Sequence, residues 1–283
     1  SLDVGKAVAL GATHDAPLES FTTHMGGAAL IGVVAPMIAI PTTAGTGSEV
    51  ARASVLILNN GEKRIVASPH LIPKLALLDP ELTLGLPPLL TAATGMDAVT
   101  HCIEAICSPI ENPNSEVIGM DGLVRSIGRA ALVSAVKDGS NRQARSDMLM
   151  ASTQGAMAFS KGLGAVHAMS HACGKDQTLK LHHGTLNAVL LPHVIRFNAN
   201  MAEHNYVKIR MAMGLHASAD LADAITELNQ QLGLPLSLSS MGITKQMIPD
   251  MAVHCMNDMC TATNPTPMTI DLYVTLFEQA LSQ

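Results

Sequence analysis

Thr94-Gly95-Met96-Asp97-Ala98-Val99-Thr100-His101-Cys102-Ile103-Glu104 holds an aspartate and a histidine four positions apart, with no proline between them. On a helix that spacing puts both side chains on one face. The same spacing returns at His167 and His171, and His182-His183 stand just before Gly184. A carboxylate and several imidazoles arriving from two helices and a loop form a divalent-metal donor set. Asp offers oxygen, His offers nitrogen, and a helix holds each pair at fixed separation. One such pair alone is also an ordinary solvated helix face. Here the flanks are apolar (Ala98, Val99, Ile103, Val166, Met169), and buried ionisable groups need a partner. A metal is such a partner.

Asp97, His101, His167 and His183 together supply one anionic and three neutral donors, a set that suits Zn²⁺ or Fe²⁺ and leaves room for a substrate oxygen or water. His183 is chosen over His182 because it directly precedes Gly184 at a helix start. Two chemistries stay open: polarising an alcohol so that hydride departs, or activating water for hydrolysis. A hydrolase needs a base, and Glu104 serves only if it turns towards the metal; otherwise it is a solvated charge. His171 reads as a fifth ligand, a proton relay or a structural histidine, with a role beside the metal favoured by its place one turn from His167. Cys102 is a small buried hydrophobe or, less readily, a ligand.

A chain of 283 residues accommodates one large or two ordinary domains. With 48% hydrophobic and 14% charged residues, much of each helix must be covered, by another domain or by another subunit, as in a homo-oligomer (a dimer or higher). A formal charge of −6 without basic runs argues against nucleic acid and anionic membranes as partners. No apolar run is long enough to span a bilayer. Five cysteines without a CxxC pair fit a reduced, cytoplasmic protein. The 17 methionines, beside no Trp, read as core filler.

Along the chain, Leu2-Asp3-Val4-Gly5-Lys6 reads as a helix already under way, capped by Ser1, as if the chain began partway through a domain. Residues 28–40 read as a core strand or strand-loop, with 36–41 a short apolar strand. It closes in Thr42-Thr43-Ala44-Gly45-Thr46-Gly47-Ser48-Glu49. Such a small-residue loop admits a phosphate or pyrophosphate to its backbone N–H groups, or is a plain turn; no lysine follows to make it a Walker A motif. Residues 53–58 and 64–67 read as a hairpin around Asn59-Asn60-Gly61, with Lys63 at its base solvated or reaching a nucleotide. Leu75-Ala76-Leu77-Leu78 is another short strand. From Pro87-Pro88 onwards the period is helical, over about 116–138, 141–159, 166–173, 184–198, 201–213, 217–232, 244–257 and 270–281. The expected division is therefore an α/β part over 1–82 and an all-helical, metal-binding part over 83–283.

Taken together, Ser1-Leu2-Asp3, the segment 40–50, Gly95-Met96-Asp97-Ala98 with His101, Val166-His167 with His171, and His183-Gly184 resemble the iron-containing (group III) alcohol dehydrogenases. Asp258, Cys260 and Asn264-Pro265 look like that family's closing segment. The resemblance covers essentially the whole chain. It implies a partial Rossmann-like amino-terminal part followed by an all-α domain, a dehydroquinate synthase-like architecture. It implies Asp97, His101, His167 and His183 as metal ligands and His171 near nicotinamide and substrate. Asp3, Thr42, Thr43, Thr46, Lys63 and Leu78 fall on the side of the cofactor, NAD or NADP. The implied activity is hydride transfer between a small alcohol or aldehyde and nicotinamide, with Fe²⁺ or Zn²⁺ at the metal site.

Two departures stand out. The segment 175–182 is longer than the family's usual linker and carries the extra His182. Family members also carry a Gly-Gly-Gly-Ser turn ahead of the Ser-Leu-Asp helix, so this chain reads as an amino-terminally truncated member. The rival expectation is a helical metal-binding module that has lost its dinucleotide site and its activity.

Overall fold

The computed structural model describes residues 2–59, 61, 63–176 and 178–282, without the side chain of Lys63. Ser1, expected as a helix cap, lies outside the described residues. The first part is α/β: α1 (Leu2–Gly11), β1 (Ile38–Ala39), β2 (Ala53–Ile57), β3 (Lys63–Ala67) and β4 (Leu75–Ala76). The strands β2 and β3 form the expected antiparallel hairpin, with Ala53 opposite Ala67 and Ile57 opposite Lys63. β1 pairs parallel with β4, Ile38 beside Leu75. The strand anticipated within 28–40 is shorter than its apolar sequence suggests. A 3₁₀ turn occupies Gly27–Leu30 and only Ile38–Ala39 pairs, because Pro36 and Pro41 flank it and neither has an N–H to give. Leu10, Phe21, Ile31, Val66 and Leu71 form this part's own small core.

The second part is all helix: α2 (Pro88–Cys107), α3 (Pro113–Leu123), α4 (Ala131–Lys137), α5 (Arg142–Ala158), α6 (Ala165–Cys173), α7 (His183–Ala212), α8 (Leu221–Gln231), α9 (Ile248–Met256) and α10 (Ile270–Leu281). α2 begins at Pro88, whose missing N–H costs nothing in a first turn. Every residue from Thr91 to Cys107 is buried, and α3, α4, α5 and α7 pack around it. A helix buried on all sides sits at the centre, and the ionisable Asp97, His101 and Glu104 must find partners there. No helix among the described residues is long and apolar enough to cross a membrane.

Four expected helix limits differ from the periodicity. α8 starts at Leu221, capped by Asp220, rather than at 217, and α9 starts at Ile248 after a 3₁₀ turn over Lys245–Met247 rather than at 244. Two differ more deeply. Residues 116–138 are not one helix: α3 runs into a π-turn over Val124–Gly128, and Ala130 takes the left-handed region, φ 53°, before α4. The end of α7 crosses here, and a Cβ on Gly128 would stand 2.5 Å from the Ala212 carbonyl oxygen. Conversely, 184–198 and 201–213 are one helix, the 30-residue α7, which passes through Pro192. Proline cannot bond the carbonyl four residues back. That carbonyl, on Ala188, instead accepts from Asn229 Nδ2 of α8 at 2.6 Å, so the buried helix continues unbroken.

Candidate metal centre

Three helices meet at the expected ligands. α2 brings Asp97 and His101, α6 brings His167, and the first residue of α7 is His183. Gly184 lets α7 come this close, since a Cβ there would stand 2.1 Å from the Ala93 carbonyl oxygen on α2. His101 Nε2 and His167 Nε2 each lie 3.6 Å from Asp97 Oδ1, and His183 Nε2 lies 3.5 Å from it. Four ligands held tetrahedrally at zinc-like bond lengths would be about 3.4 Å apart. The ligating atoms of Asp97, His101 and His167 all fall within 4.8 Å of one another. His183 joins them through Asp97. One hard oxygen and three imidazole nitrogens around one point fit a divalent iron or zinc ion.

Two of the three imidazoles are held from behind, as metal-binding histidines usually are. Glu104 is not a solvated charge: it is 6% exposed, its Oε2 meets His167 Nδ1 at 2.6 Å, and its Oε1 accepts from the Val166 N–H at 2.7 Å. It therefore faces the outer side of the ring and is not placed as a general base. Ser170 Oγ lies 2.7 Å from His183 Nδ1. His101 Nδ1 is buried without a hydrogen-bond partner, while the ring packs edge-on against Phe159.

Burial raises the Asp97 carboxyl, but His101, His183 and His167 outweigh it and hold the group well below the usual carboxylate range. Burial pulls His101 down to about 4 and His183 well below its ordinary value. Burial also lowers His167, yet Glu104 and Asp97 more than offset it and hold that imidazole up at about 9. A proton on His167 would have to leave as a metal arrived.

His171 stands beside this set. Its Nδ1 meets Asp258 Oδ2 at 2.9 Å, and its ring stacks on His183 with centroids 5.3 Å apart. Burial raises Asp258, but its hydrogen bond with His171 brings it down to about 2. His182, the N-cap residue of α7, is exposed. Cys102 is fully buried and its thiol is pushed up to about 12 by burial, the behaviour of a core residue.

The loop after β1 lies against α2. A Cβ on Gly45 would stand 2.8 Å from Thr94 Cβ, one turn before Asp97, and Thr153 of α5 donates to Glu49 at 2.7 Å. Gly47, at φ 62°, is a position for glycine alone, with Ala156 of α5 where a Cβ would go. Thr42 and Thr46 are exposed, Thr43 and Leu78 half-buried. Asp3 fastens α1 to this loop: its Oδ1 accepts from Ser48 Oγ at 2.6 Å and its Oδ2 from Val55 N–H at 3.2 Å. The Lys63 side chain lies outside the described residues.

Glu104 differs from its expected role, Ser170 and Asn187 were not expected at the site, and Asp258, expected only as part of the closing segment, meets His171. The spacings Asp97–His101–Glu104 and His183–Asn187 are helical and were available as signals. Asp258 lies 87 residues from His171 and leaves no local trace.

A family description, iron-containing alcohol dehydrogenase, matches residues 1–80, and its carboxy-terminal counterpart matches residues 91–281. The chain is 47% identical over 289 aligned positions to a 4-hydroxybutyrate dehydrogenase of Cupriavidus necator, covering 99% of this chain and 75% of that one. A crystal structure of a 1,3-propanediol oxidoreductase superposes with a TM-score of 0.92 at 36% identity, over 99% of this chain and 74% of that one. A sulfoacetaldehyde reductase of Bifidobacterium kashiwanohense in complex with NAD⁺ superposes with a TM-score of 0.88 at 28% identity, over 100% and 74% of the two chains. Matched over both its α/β and its helical part, the chain belongs to the iron-containing alcohol dehydrogenase family.

Proposed function

We propose that this chain carries out metal-dependent, nicotinamide-linked oxidation and reduction of a small aliphatic alcohol and its aldehyde. One observation carries the reading: three imidazole nitrogens stand 3.5–3.6 Å from one buried carboxylate oxygen. Asp97, His101, His167 and His183 would hold the ion. A bound Fe²⁺ or Zn²⁺ supplies Lewis acidity to the alcohol oxygen, and NAD or NADP accepts the hydride. Asp258 holds His171 at Nδ1 and leaves Nε2 to take the hydroxyl proton, with the ring positioned by its stack on His183. Phe159 and the apolar flank of α2 exclude water behind His101.

The loop of Thr42, Thr43 and Thr46 opens at the carboxyl ends of the parallel pair β1 and β4, the side on which α/β sheets bind ligands. Gly45 of this loop lies against Thr94, one turn before Asp97, so a nucleotide held by the loop would sit close to the metal donors. Asp3 secures the loop through Ser48, and we extend the nucleotide contacts to Leu78 and, on the family resemblance alone, to Lys63. The relatives named for 4-hydroxybutyrate and 1,3-propanediol both concern short chains with a second polar end, and we extend that substrate class to this protein.

The test is a titration of NADH and NADPH into the zinc- or iron-loaded chain, followed by assays on three- and four-carbon hydroxy compounds. Saturable nucleotide binding and turnover are expected. Asp97→Ala should remove the metal and the turnover together. Full metal loading without nucleotide binding would overturn the dehydrogenase reading.

A further inference from the structure

Asn187 follows His183 by one turn of α7, is fully buried, and takes no part in the chemistry described above. Its Nδ2 donates to Asp97 Oδ1 at 2.7 Å and lies 3.3 Å from both His167 Nε2 and His183 Nε2. A carboxylate oxygen only accepts, so the inward end of this amide is the NH₂ end. Its Oδ1 is buried without a hydrogen-bond partner. The side chain is therefore held by its nitrogen end alone, and that end touches one donor from each of α2, α6 and α7.

Asp97 needs this contact. The three imidazole nitrogens stand 3.5–3.6 Å from its oxygen, beyond a good hydrogen bond. Among the described residues, Asn187 gives it the short one. A buried carboxylate left without a donor would turn away or draw in a proton. His183, by contrast, sits on the first turn of a helix that follows the long segment 175–182, where a frayed end would carry it off.

We propose that Asn187 is a positioning residue that assembles the metal donors in the metal-free chain. Its amide nitrogen holds Asp97 of α2 beside His167 of α6 and His183 of α7, so a cation meets a formed site. The gain is preorganisation: ordering three helices' side chains is done by the fold and not charged against metal binding. The inference rests on the metal-centre reading above, and its test separates the two.

The test uses the full chain stripped with chelator and titrated with Zn²⁺ alone, in competition with a chromophoric chelator. Asn187→Leu, close in shape but without a donor, is expected to fold with native helix content and to bind zinc about 10- to 100-fold more weakly. Asn187→Ala, which only deletes atoms, stands in if the leucine variant does not fold. Asp97→Ala is the control for the site itself. Loss of zinc in Asp97→Ala with wild-type affinity in both Asn187 variants would overturn the positioning role and leave the metal centre standing. Loss in an Asn187 variant as deep as that in Asp97→Ala would make Asn187 a ligand and overturn the proposal in the other direction. Unchanged affinity in Asp97→Ala would remove the metal centre, and the proposal with it.

Discussion

Gly184→Ala tests how the fourth donor reaches the site. The added Cβ would begin 2.1 Å from the Ala93 carbonyl oxygen and 3.3 Å from Asp97 Cβ, and real Cβ atoms essentially never come closer than 3.0 Å. Neither neighbour is a flexible side-chain end: one is the backbone of α2, the other the root of the Asp97 side chain. The first turn of α7 must retreat by about 1 Å, with a packing cost of about 1–3 kcal/mol. His183 Nε2, now 3.5 Å from Asp97 Oδ1, would move to about 4.5 Å. Metal–ligand distances tolerate about 0.2 Å, so the fourth donor is lost while the other three stay. The assay is zinc affinity by chelator competition, with thermal unfolding beside it. Affinity should fall more than about 100-fold, beyond what an outer-sphere change costs. The melting temperature should fall by about 2–4 °C for each kcal/mol of strain. Gly5→Ala is the matched control, because a Cβ there meets nothing within 4 Å on helix α1 and should be neutral or stabilising. Wild-type zinc affinity and melting temperature in Gly184→Ala would refute the claim that backbone contact between α2 and α7 seats His183.

Two further outcomes follow from the buried charges. Glu104→Gln leaves one of the two N–H groups now facing Glu104, from His167 or Val166, opposite an amide NH₂; zinc affinity should drop about 10- to 100-fold with the fold intact, and an unchanged affinity would show that packing alone orients His167. Lys6 is 1% exposed, donates to the Ala51 and Ala53 carbonyls, and is pulled from 10.5 to about 8 by burial, against Asp3 and Glu49. Between those values the unfolded chain holds the proton and the folded chain releases it, so rising pH favours folding. Relative to Lys6→Met, the wild-type chain should gain about 2 kcal/mol between pH 8 and pH 10 in urea unfolding. Parallel pH curves for the two proteins would contradict the burial argument.

Much of the site was legible because it is periodic. Asp97 and His101 share a helix face whatever that helix packs against, and the same holds for His167 and His171. The loop of Thr42 to Gly47 was legible as the punctuation after an apolar strand, and the hairpin from its Asn-Gly tip. Glu104 was misread for the opposite reason. Its role depends on α6, 62 residues further on, bringing an N–H and an imidazole to it, and nothing in residues 94–104 encodes that arrival. The helix limits fail in the same way. α7 continues through Pro192 because Asn229 of another helix takes the released carbonyl, and α3 breaks at its π-turn because α7 ends against Gly128.

Thus the sequence by itself determined which side chains share a face, where helices start, and which residue types can bind a cation, since these follow from the geometry of single elements. Only the tertiary structure decided how close His183 comes to Asp97, that Glu104 and Asp258 grip histidines, and that Asn187 joins three helices. Those are distances between elements. They are set by close packing of backbones at Gly184 and Gly45, where the presence or absence of one methyl group decides whether the donors meet.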